Sequence, residues 1–274
     1  MGKSSKDKRD IYYRKAKEEG WRARSAFKLL QIDDDHNIFG GVKRVVDLCA
    51  APGSWSQVLS RRIYGDGSDP DVKIVAVDIQ EMAPLKGVLQ IKGDITKLTT
   101  VNQIISHFDG SLADLVVSDG APDVTGLHDI DFYGQAQLIL SAFNITTHVL
   151  CRGGTFVAKM FKGNDMTLMY NQMKLFFEKV SFVKPKSSRD SSLENFILCQ
   201  NYQPPTDFTP TMIDPMKDNL FQNNNNNNNQ NNNNNNNNNN ISKSNNLNQS
   251  ILRFVACVEV NNNSSISNSR SSNN

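Results

Sequence analysis

The chain has 274 residues, of which 38% are hydrophobic and 21% are charged, a composition that suits one globular domain of about 200 residues together with some non-globular chain. No apolar run is long enough to span a bilayer and no signal-peptide core follows Met1, so the sequence argues against a membrane-spanning or exported protein and predicts a cytoplasmic one. The net charge of +2 conceals a basic segment, because residues 1–28 contain ten Lys or Arg against four Asp or Glu.

Two helices are predicted in this basic segment. The first covers about residues 6–19 and ends at Gly20, and Ser25 can cap a second helix that runs to about residue 33. Three aromatic residues are interleaved with the charges, namely Tyr12, Tyr13 and Trp21. Phosphate contacts combined with stacking on unpaired bases are typical of proteins that bind RNA loops. An ordinary solvated helix face is the alternative interpretation.

Strand-like and helical patterns alternate after the basic segment. Strands are predicted at residues 42–48, 73–78, 88–92, 113–118 and 154–159, with helices at 55–63, 100–108 and 131–150. A further helix at 165–179 precedes two strands, 180–184 and 195–200, which would form a hairpin-like end of the sheet. This order predicts an α/β fold in which a mostly parallel, seven-stranded sheet carries helices on both faces.

The chain divides into segments of different composition. Residues 1–36 are predicted to be a basic helical extension of the core at 37–203, followed by an irregular Pro-rich segment at 204–222. Residues 223–249 are so rich in asparagine that they cannot bury enough apolar surface to fold, and we expect a disordered insertion there. Residues 250–260 are apolar enough for a terminal strand or a partner-binding segment, and 261–274 form a polar, disordered tail.

Cysteine and histidine patterns argue against disulfides and metals. The four cysteines are far apart in apolar surroundings and are predicted to be buried free thiols in a reducing compartment: Cys49, Cys151, Cys199 and Cys257. The four histidines lack metal-ligand spacing, so no metal site is expected: His36, His107, His128 and His148.

The ends of the predicted strands suggest a nucleotide-like ligand, because open α/β sheets bind ligands beyond the carboxyl ends of their strands. Small residues and Gly53 follow the first strand and allow close approach to a ligand. Asp78 ends the second strand and could accept from ribose hydroxyls, and Asp94 after the third could accept from an adenine amino group. The fingerprints of NAD and ATP sites are absent from the sequence. The alternative interpretation is that Gly53 is an ordinary turn residue and that the two acids cap helices or lie in loops. Taken together and in this order, however, the three residues favour an adenosyl ligand.

Four charged residues occur in apolar settings: Lys28, Asp119, Lys159 and Glu194. Lys159 closes a strand that reads Gly-Thr-Phe-Val-Ala, where a buried lysine is costly unless it is paired. A lysine that extends along the sheet edge into solvent is the alternative.

The order of these four residues resembles the Lys-Asp-Lys-Glu tetrad of the FtsJ-type ribose 2′-O-methyltransferases. The surrounding motifs at residues 24–29, 47–55, 118–123 and 192–194 are also similar to that family. Residues 2–10 and 123–129 resemble its eukaryotic subgroup, which acts on tRNA anticodon loops, whereas the asparagine tract departs from the pattern.

This resemblance implies a Rossmann-like class I methyltransferase domain that uses S-adenosyl-L-methionine. It implies cofactor contacts from five residues: Gly53, Trp55, Asp78, Asp94 and Asp119. The implied substrate is tRNA, modified at anticodon-loop nucleotides 32 and 34 by the convention of the family, with a helper protein that selects the nucleotide. The same tetrad could also act on ribosomal RNA or an mRNA cap, and a non-catalytic RNA-binding scaffold is the alternative from another class.

The tetrad is chemically suited to methylating a ribose. A ribose hydroxyl is a weak acid, so a base that takes its proton helps it attack a sulfonium methyl group, and Lys159 is the candidate base. Lys28 is the neighbouring cation that could hold the hydroxyl or a phosphate, and Asp119 and Glu194 would orient the two lysines. Four further basic residues could extend the RNA-binding surface: Lys162, Lys184, Lys186 and Arg189.

Overall fold

The structure, a computed structural model, describes residues 3–122, 126, 128–163, 166–189 and 192–212. Several predictions concern residues outside these ranges. They include the asparagine-rich insertion, the apolar segment at 250–260, the polar tail, Cys257 and most of the motif at 123–129. The segment boundaries inferred from composition stay predictions.

Seven strands form one sheet: β1 (Arg44–Leu48), β2 (Lys73–Asp78), β3 (Val88–Lys92), β4 (Ala113–Ser118), β5 (Leu150–Phe161), β6 (Phe177–Val183) and β7 (Glu194–Tyr202). Their order across the sheet is β3-β2-β1-β4-β5-β7-β6. The pairs from β3 to β5 are parallel, and β7 is antiparallel to both β5 and β6. The predicted α/β fold with a mostly parallel sheet is therefore confirmed, including the antiparallel pair at its end.

In the described residues, six α-helices accompany the strands: α1 (Lys3–Glu18), α2 (Ala26–His36), α3 (Ser54–Leu59), α4 (Leu98–His107), α5 (His128–Val149) and α6 (Met166–Lys174). A π-helical turn, Ser60–Tyr64, continues α3. Ser25 precedes α2 as expected, but its backbone is already helical and its side chain makes no capping hydrogen bond. The prediction that the Ser25 side chain caps α2 is therefore wrong, although the helix begins where it was expected.

Alternating side chains of the strands supply two cores, one on each face of the sheet. In β1, Val46 and Leu48 join the core beneath α4, α5 and α6, whereas Val45 joins the core beneath α2 and α3. All three side chains are fully buried. Because successive side chains of a strand point to opposite faces, an apolar run such as β1 is stable only when helices cover both faces.

Several element boundaries differ from the sequence prediction, most of all those of α6, β6 and β5. The helix predicted at 165–179 ends at Lys174, and β6 begins at Phe177. Phe176 and Phe177 are buried against Phe143 of α5, with ring centroids 5.1 and 6.2 Å away. These aromatic contacts favour a turn and a strand over continued helix. Strand β5 also starts earlier, at Leu150, directly after α5.

Within the described ranges, no helix combines the length and apolar character needed to cross a membrane.

Candidate active site

The sheet order brings β1 and β4 together at its centre, and successive strands then run outward in opposite directions. In open α/β sheets, ligands bind at the carboxyl ends of the strands where the order reverses in this way. The predicted site residues Gly53 and Asp119 follow β1 and β4 at this point, and Asp78 ends the neighbouring strand β2.

Lys159 and Asp119 form the first of two charged pairs at this edge. Ser118 pairs with Ala158 in the β4–β5 register, which places Asp119 beside Lys159. Lys159 Nζ donates to the backbone carbonyl of Asp119 at 2.6 Å and lies 3.3 Å from Asp119 Oδ1. The two side chains are only 10% and 18% exposed. The amine is therefore held in place by both the backbone and the carboxylate of Asp119.

Lys28 and Glu194 form the second pair. Lys28 Nζ lies 2.6 Å from Glu194 Oε2, and the Ser188 hydroxyl donates to Glu194 Oε1 at 2.9 Å. Burial raises the pKa of Glu194, but the ion pair with Lys28 and the hydrogen bonds from Lys28 and Ser188 outweigh burial, so the pKa is lowered from its ordinary value. Glu194 is thus held as a carboxylate.

The two pairs lie close to each other. Lys159 is opposite Phe196 in the β5–β7 register, and Lys28 Nζ lies over the Phe196 ring at 5.8 Å. The positive charge of Lys159 also contributes to lowering the pKa of Glu194. The structure therefore brings together the four residues that the sequence singled out.

The turn after β1 requires glycine at position 53. Gly53 has φ of +96°, and a Cβ there would lie 2.4 Å from Nη1 of Arg22. The Arg22 guanidinium donates to the carbonyls of Pro52, Ala83 and Pro84 at 3.0, 2.6 and 3.0 Å. Sequence reasoning treated Arg22 only as part of the basic segment, whereas its side chain joins the turn after β1 to the loop after β2.

Trp55 contributes its side chain to the core. It is 2% exposed, its Nε1 donates to the Ser25 carbonyl at 3.0 Å, and its ring centroid is 5.5 Å from that of Phe196. The indole connects α3 to α2 and to β7. The structure shows Trp55 as a core residue, and the cofactor contact implied for it stays a prediction.

Asp78 and Asp94 hold the loops that follow β2 and β3. Asp78 accepts the N–H groups of Ala51 and Gln80, each at 2.8 Å, through different oxygens. Asp94 Oδ1 accepts the N–H and hydroxyl of Thr96 at 2.8 and 2.7 Å. These are the loop roles of the alternative interpretation. They do not exclude ligand binding, because a carboxylate offers about four acceptor positions.

Asp47 is a residue of the site that sequence reasoning missed. It lies in β1, is 1% exposed, and accepts a hydrogen bond from the Ser56 hydroxyl at 2.5 Å. Burial raises its pKa to about 7, against the hydrogen bond from Ser56, and the charges of Asp119 and Asp78 add to the rise. An acid inside the apolar run Val45–Leu48, just before a tight turn, was the available signal.

The basic segment is attached to the core more closely than its sequence indicated. The ring of Tyr12 packs on Phe27 at 5.4 Å, and the guanidinium of Arg61 covers the Trp21 ring at 4.0 Å. Tyr13 is 49% exposed, with Lys17 Nζ 4.6 Å from its ring centroid. Of the three aromatic residues proposed to stack on bases, Tyr13 is therefore the exposed one.

The exposed basic residues lie on several elements. Among the residues of α1 whose exposure is described they include Arg14, Lys15 and Lys17, and after β5 and β6 they include Lys162, Lys184, Lys186 and Arg189. Among the cysteines of the described ranges, Cys199 is buried, but Cys49 and Cys151 are partly exposed, so the prediction of burial is wrong for these two. The described ranges contain no group of three or more His, Cys, Asp or Glu able to hold a metal ion.

Comparisons with known proteins identify similar sequences and structures. The family model described as FtsJ-like methyltransferase matches residues 21–202. A Dictyostelium discoideum protein named "Putative tRNA (cytidine(32)/guanosine(34)-2′-O)-methyltransferase" is 84% identical over 80% of this chain and 81% of its own length. The tRNA (cytidine(32)/guanosine(34)-2′-O)-methyltransferase of Mus musculus is 62% identical over 82% of this chain and 68% of its own length.

A solved structure also matches this chain. It is a Plasmodium falciparum crystal structure titled "ribosomal RNA methyltransferase, putative", with a TM-score of 0.59 and 25% identity. The match covers 68% of this chain and all of the other chain.

Proposed function

The chain belongs to the FtsJ-like methyltransferase family, and we propose that it transfers a methyl group from S-adenosyl-L-methionine to the ribose 2′-hydroxyl of tRNA. The proposed targets are the anticodon-loop nucleotides 32 and 34 that appear in the names of its relatives. The observation that carries the proposal is the pairing of Lys159 with Asp119 beside the pairing of Lys28 with Glu194.

The residues at the carboxyl ends of the strands fit S-adenosyl-L-methionine. Asp78 and Asp94 present carboxylates after adjacent strands and keep acceptor positions for ribose hydroxyls and an adenine amino group. The turn at Gly53 allows the backbone to approach a ligand, and Asp119 lies at the same edge. When bound, this cofactor supplies an electrophilic methyl group on a sulfonium.

Lys159 is the proposed proton acceptor. The ribose hydroxyl loses its proton as its oxygen attacks the methyl group, and Lys159 is the side chain proposed to take that proton. Its Nζ is held by the carbonyl and the carboxylate of Asp119, which fixes its direction. Lys28, oriented by Glu194, is placed to hold the hydroxyl or a neighbouring phosphate.

RNA would bind to exposed basic and aromatic residues around this site. Tyr13, Lys15 and Lys17 present a ring and two amines on α1. Exposed amines and a guanidinium after β5 and β6 extend the surface on the side of the site: Lys162, Lys184, Lys186 and Arg189. This arrangement suits phosphate contacts with stacking on an unpaired base.

The alternatives are supported less well. Relatives named for tRNA are 62% and 84% identical to this chain, against 40% for a Pelagibacter ubique relative named "Ribosomal RNA large subunit methyltransferase E". The intact charged pairs argue against a non-catalytic scaffold. A cytoplasmic location and a helper protein that selects the nucleotide belong to the same proposal.

The test is to map 2′-O-methyl groups in RNA from cells with and without this gene. Loss of methylation at tRNA nucleotides 32 and 34, restored when the gene is returned, is the expected result. Unchanged tRNA, or loss confined to ribosomal RNA or mRNA caps, would reject the proposed substrate.

A further inference from the structure

Gln135 of α5 has a side-chain amide between the two strands that carry Asp119 and Lys159. Its Nε2 donates to the Lys159 carbonyl at 2.8 Å and to the Gly120 carbonyl at 3.3 Å. The residue is 2% exposed. One amide group therefore joins α5 to the backbone on both sides of the Lys159–Asp119 pair.

This amide lies where the β4–β5 ladder ends. The last register pair is Ser118 with Ala158, so the backbone beyond it lacks a strand partner on that side. Lys159 Nζ crosses the same gap to the carbonyl of Asp119. The hydrogen bonds of Gln135 thus link the backbones that follow the paired parts of β4 and β5, at the position where the side chain of Lys159 must be oriented.

The loop held by Gln135 is also confined by its neighbours. A Cβ at Gly120 would lie 2.9 Å from Cys49 Cβ and 2.9 Å from a methyl carbon of Leu138. The backbone of residue 120 therefore sits tightly between the turn after β1 and helix α5. With Gln135 donating to the carbonyl of Gly120, a small displacement of α5 moves the loop that carries Asp119.

We propose that Gln135 is a positioning residue of the methyl-transfer site, which fixes the Lys159 amine relative to Asp119 by holding the main-chain carbonyls of Gly120 and Lys159. The inference rests on the proposed function. It requires an N–H donor at position 135, because both partners are carbonyl oxygens. This role differs from that of a core residue that only fills space, because Gln135 donates two hydrogen bonds to the backbone next to the reacting amine.

The helix offers a matched control. Gln137 is 7% exposed, and neither its Nε2 nor its Oε1 has a hydrogen-bond partner within the described ranges. Gln135→Met removes both donated bonds with little change in volume, whereas Gln137→Met removes an amide that makes none. Gln135→Glu has the shape of glutamine but keeps a donor only while the carboxyl group is protonated.

The experiment uses the full-length chain purified from cells with any bound partner, and it measures single-turnover methyl transfer, affinities for tRNA and S-adenosyl-L-methionine, and melting temperature. Gln135→Met should slow transfer at least about tenfold, because a small displacement of a reacting group is costly, while both affinities stay within about twofold of wild type. Gln137→Met should transfer at the wild-type rate. The rate of Gln135→Glu relative to wild type should fall as the pH rises.

Three results would overturn the inference. They are a wild-type rate for Gln135→Met, an equal loss of rate for Gln137→Met, and a pH-independent rate ratio for Gln135→Glu. The last measurement uses a variant with the shape of glutamine and follows how its rate ratio to wild type changes with pH, so it decides the question even if Gln135→Met fails to fold. An inactive wild-type protein would instead count against the proposed function.

Discussion

Lys28 Nζ lies 2.6 Å from Glu194 Oε2, although the two residues are 166 positions apart in the chain. This contact joins helix α2 to the first residue of β7. It lies beside the Phe196 ring, and Phe196 is paired with Lys159 of β5 in the register of the sheet. The basic N-terminal region is therefore part of the candidate active site and is held there by a mostly buried ion pair.

Glu194→Gln should destabilise the protein by on the order of 3 kcal/mol near neutral pH, because it leaves the mostly buried amine of Lys28 without its counter-charge. Since the pKa of Glu194 is lowered in the folded state, its stabilising contribution is present above the ordinary glutamate pKa, about 4.3. It is lost as the pH falls through the lowered pKa. Denaturant unfolding across this pH range measures the effect.

The exposed pair of Lys92 and Glu81 provides the control for that measurement. The side chains are 64% and 79% exposed at a separation of 3.0 Å, and such pairs contribute about 0–1 kcal/mol. Glu81→Gln should therefore be nearly neutral. An equal, small effect of both substitutions would show that the Lys28–Glu194 pair does not anchor α2.

Asp47→Asn should remove a pH dependence of stability. The folded pKa of Asp47, about 7, is raised from its ordinary value of 3.8, so the native protein binds the proton more tightly than the unfolded chain. The stability of the wild type should fall by on the order of 4 kcal/mol between about pH 4 and pH 7 as this proton is lost. The variant should lack this fall, and above about pH 7 it should be at least as stable as wild type.

Asp34→Asn serves as the control for Asp47→Asn, because the Asp34 side chain is 64% exposed. Unfolding by urea at a series of pH values compares the two variants with wild type. Parallel pH profiles for wild type and Asp47→Asn would contradict the assignment of a raised pKa to this buried acid.

Lys15→Glu combined with Lys17→Glu should weaken tRNA binding and reduce its dependence on salt. Both amines are exposed on α1, and each phosphate contact to a single strand contributes about 0.7 to the slope of log affinity against log salt. Filter binding over a range of salt concentrations should show a slope smaller by about 1 to 1.5. Lys174→Glu, on α6, is the control, and a wild-type slope for the double variant would exclude α1 from the RNA surface.

The sequence predicted the strands well because buried parallel strands are continuous apolar runs that end in recognisable turns. Strands β2, β3 and β4 have the predicted bounds. The boundary between α6 and β6 could not be predicted, because no Gly or Pro separates Lys174 from Phe177. It depends on Phe176 and Phe177 packing against Phe143, a contact distant in the chain.

The same limit applies to the site. The four charged residues could be singled out because each lies in an apolar setting, and their order was interpreted as a tetrad through its resemblance to the FtsJ-type family. The exposure of Tyr12 and Trp21 could not be predicted from the sequence, because it depends on packing against Phe27 and Arg61, which lie on other elements. Asp47 had the same signal, an acid in an apolar run, but it was missed. Gln135 could not be predicted, because its hydrogen-bond partners are the carbonyls of Gly120 and Lys159 on other elements.

Returning Lys159→Ala to cells that lack this gene tests the central claim most directly. The variant should leave tRNA nucleotides 32 and 34 without 2′-O-methyl groups, while the purified variant binds S-adenosyl-L-methionine with an affinity within about threefold of wild type by calorimetry. The wild-type gene, returned in parallel, should restore both modifications. Restoration of methylation by Lys159→Ala would contradict the account.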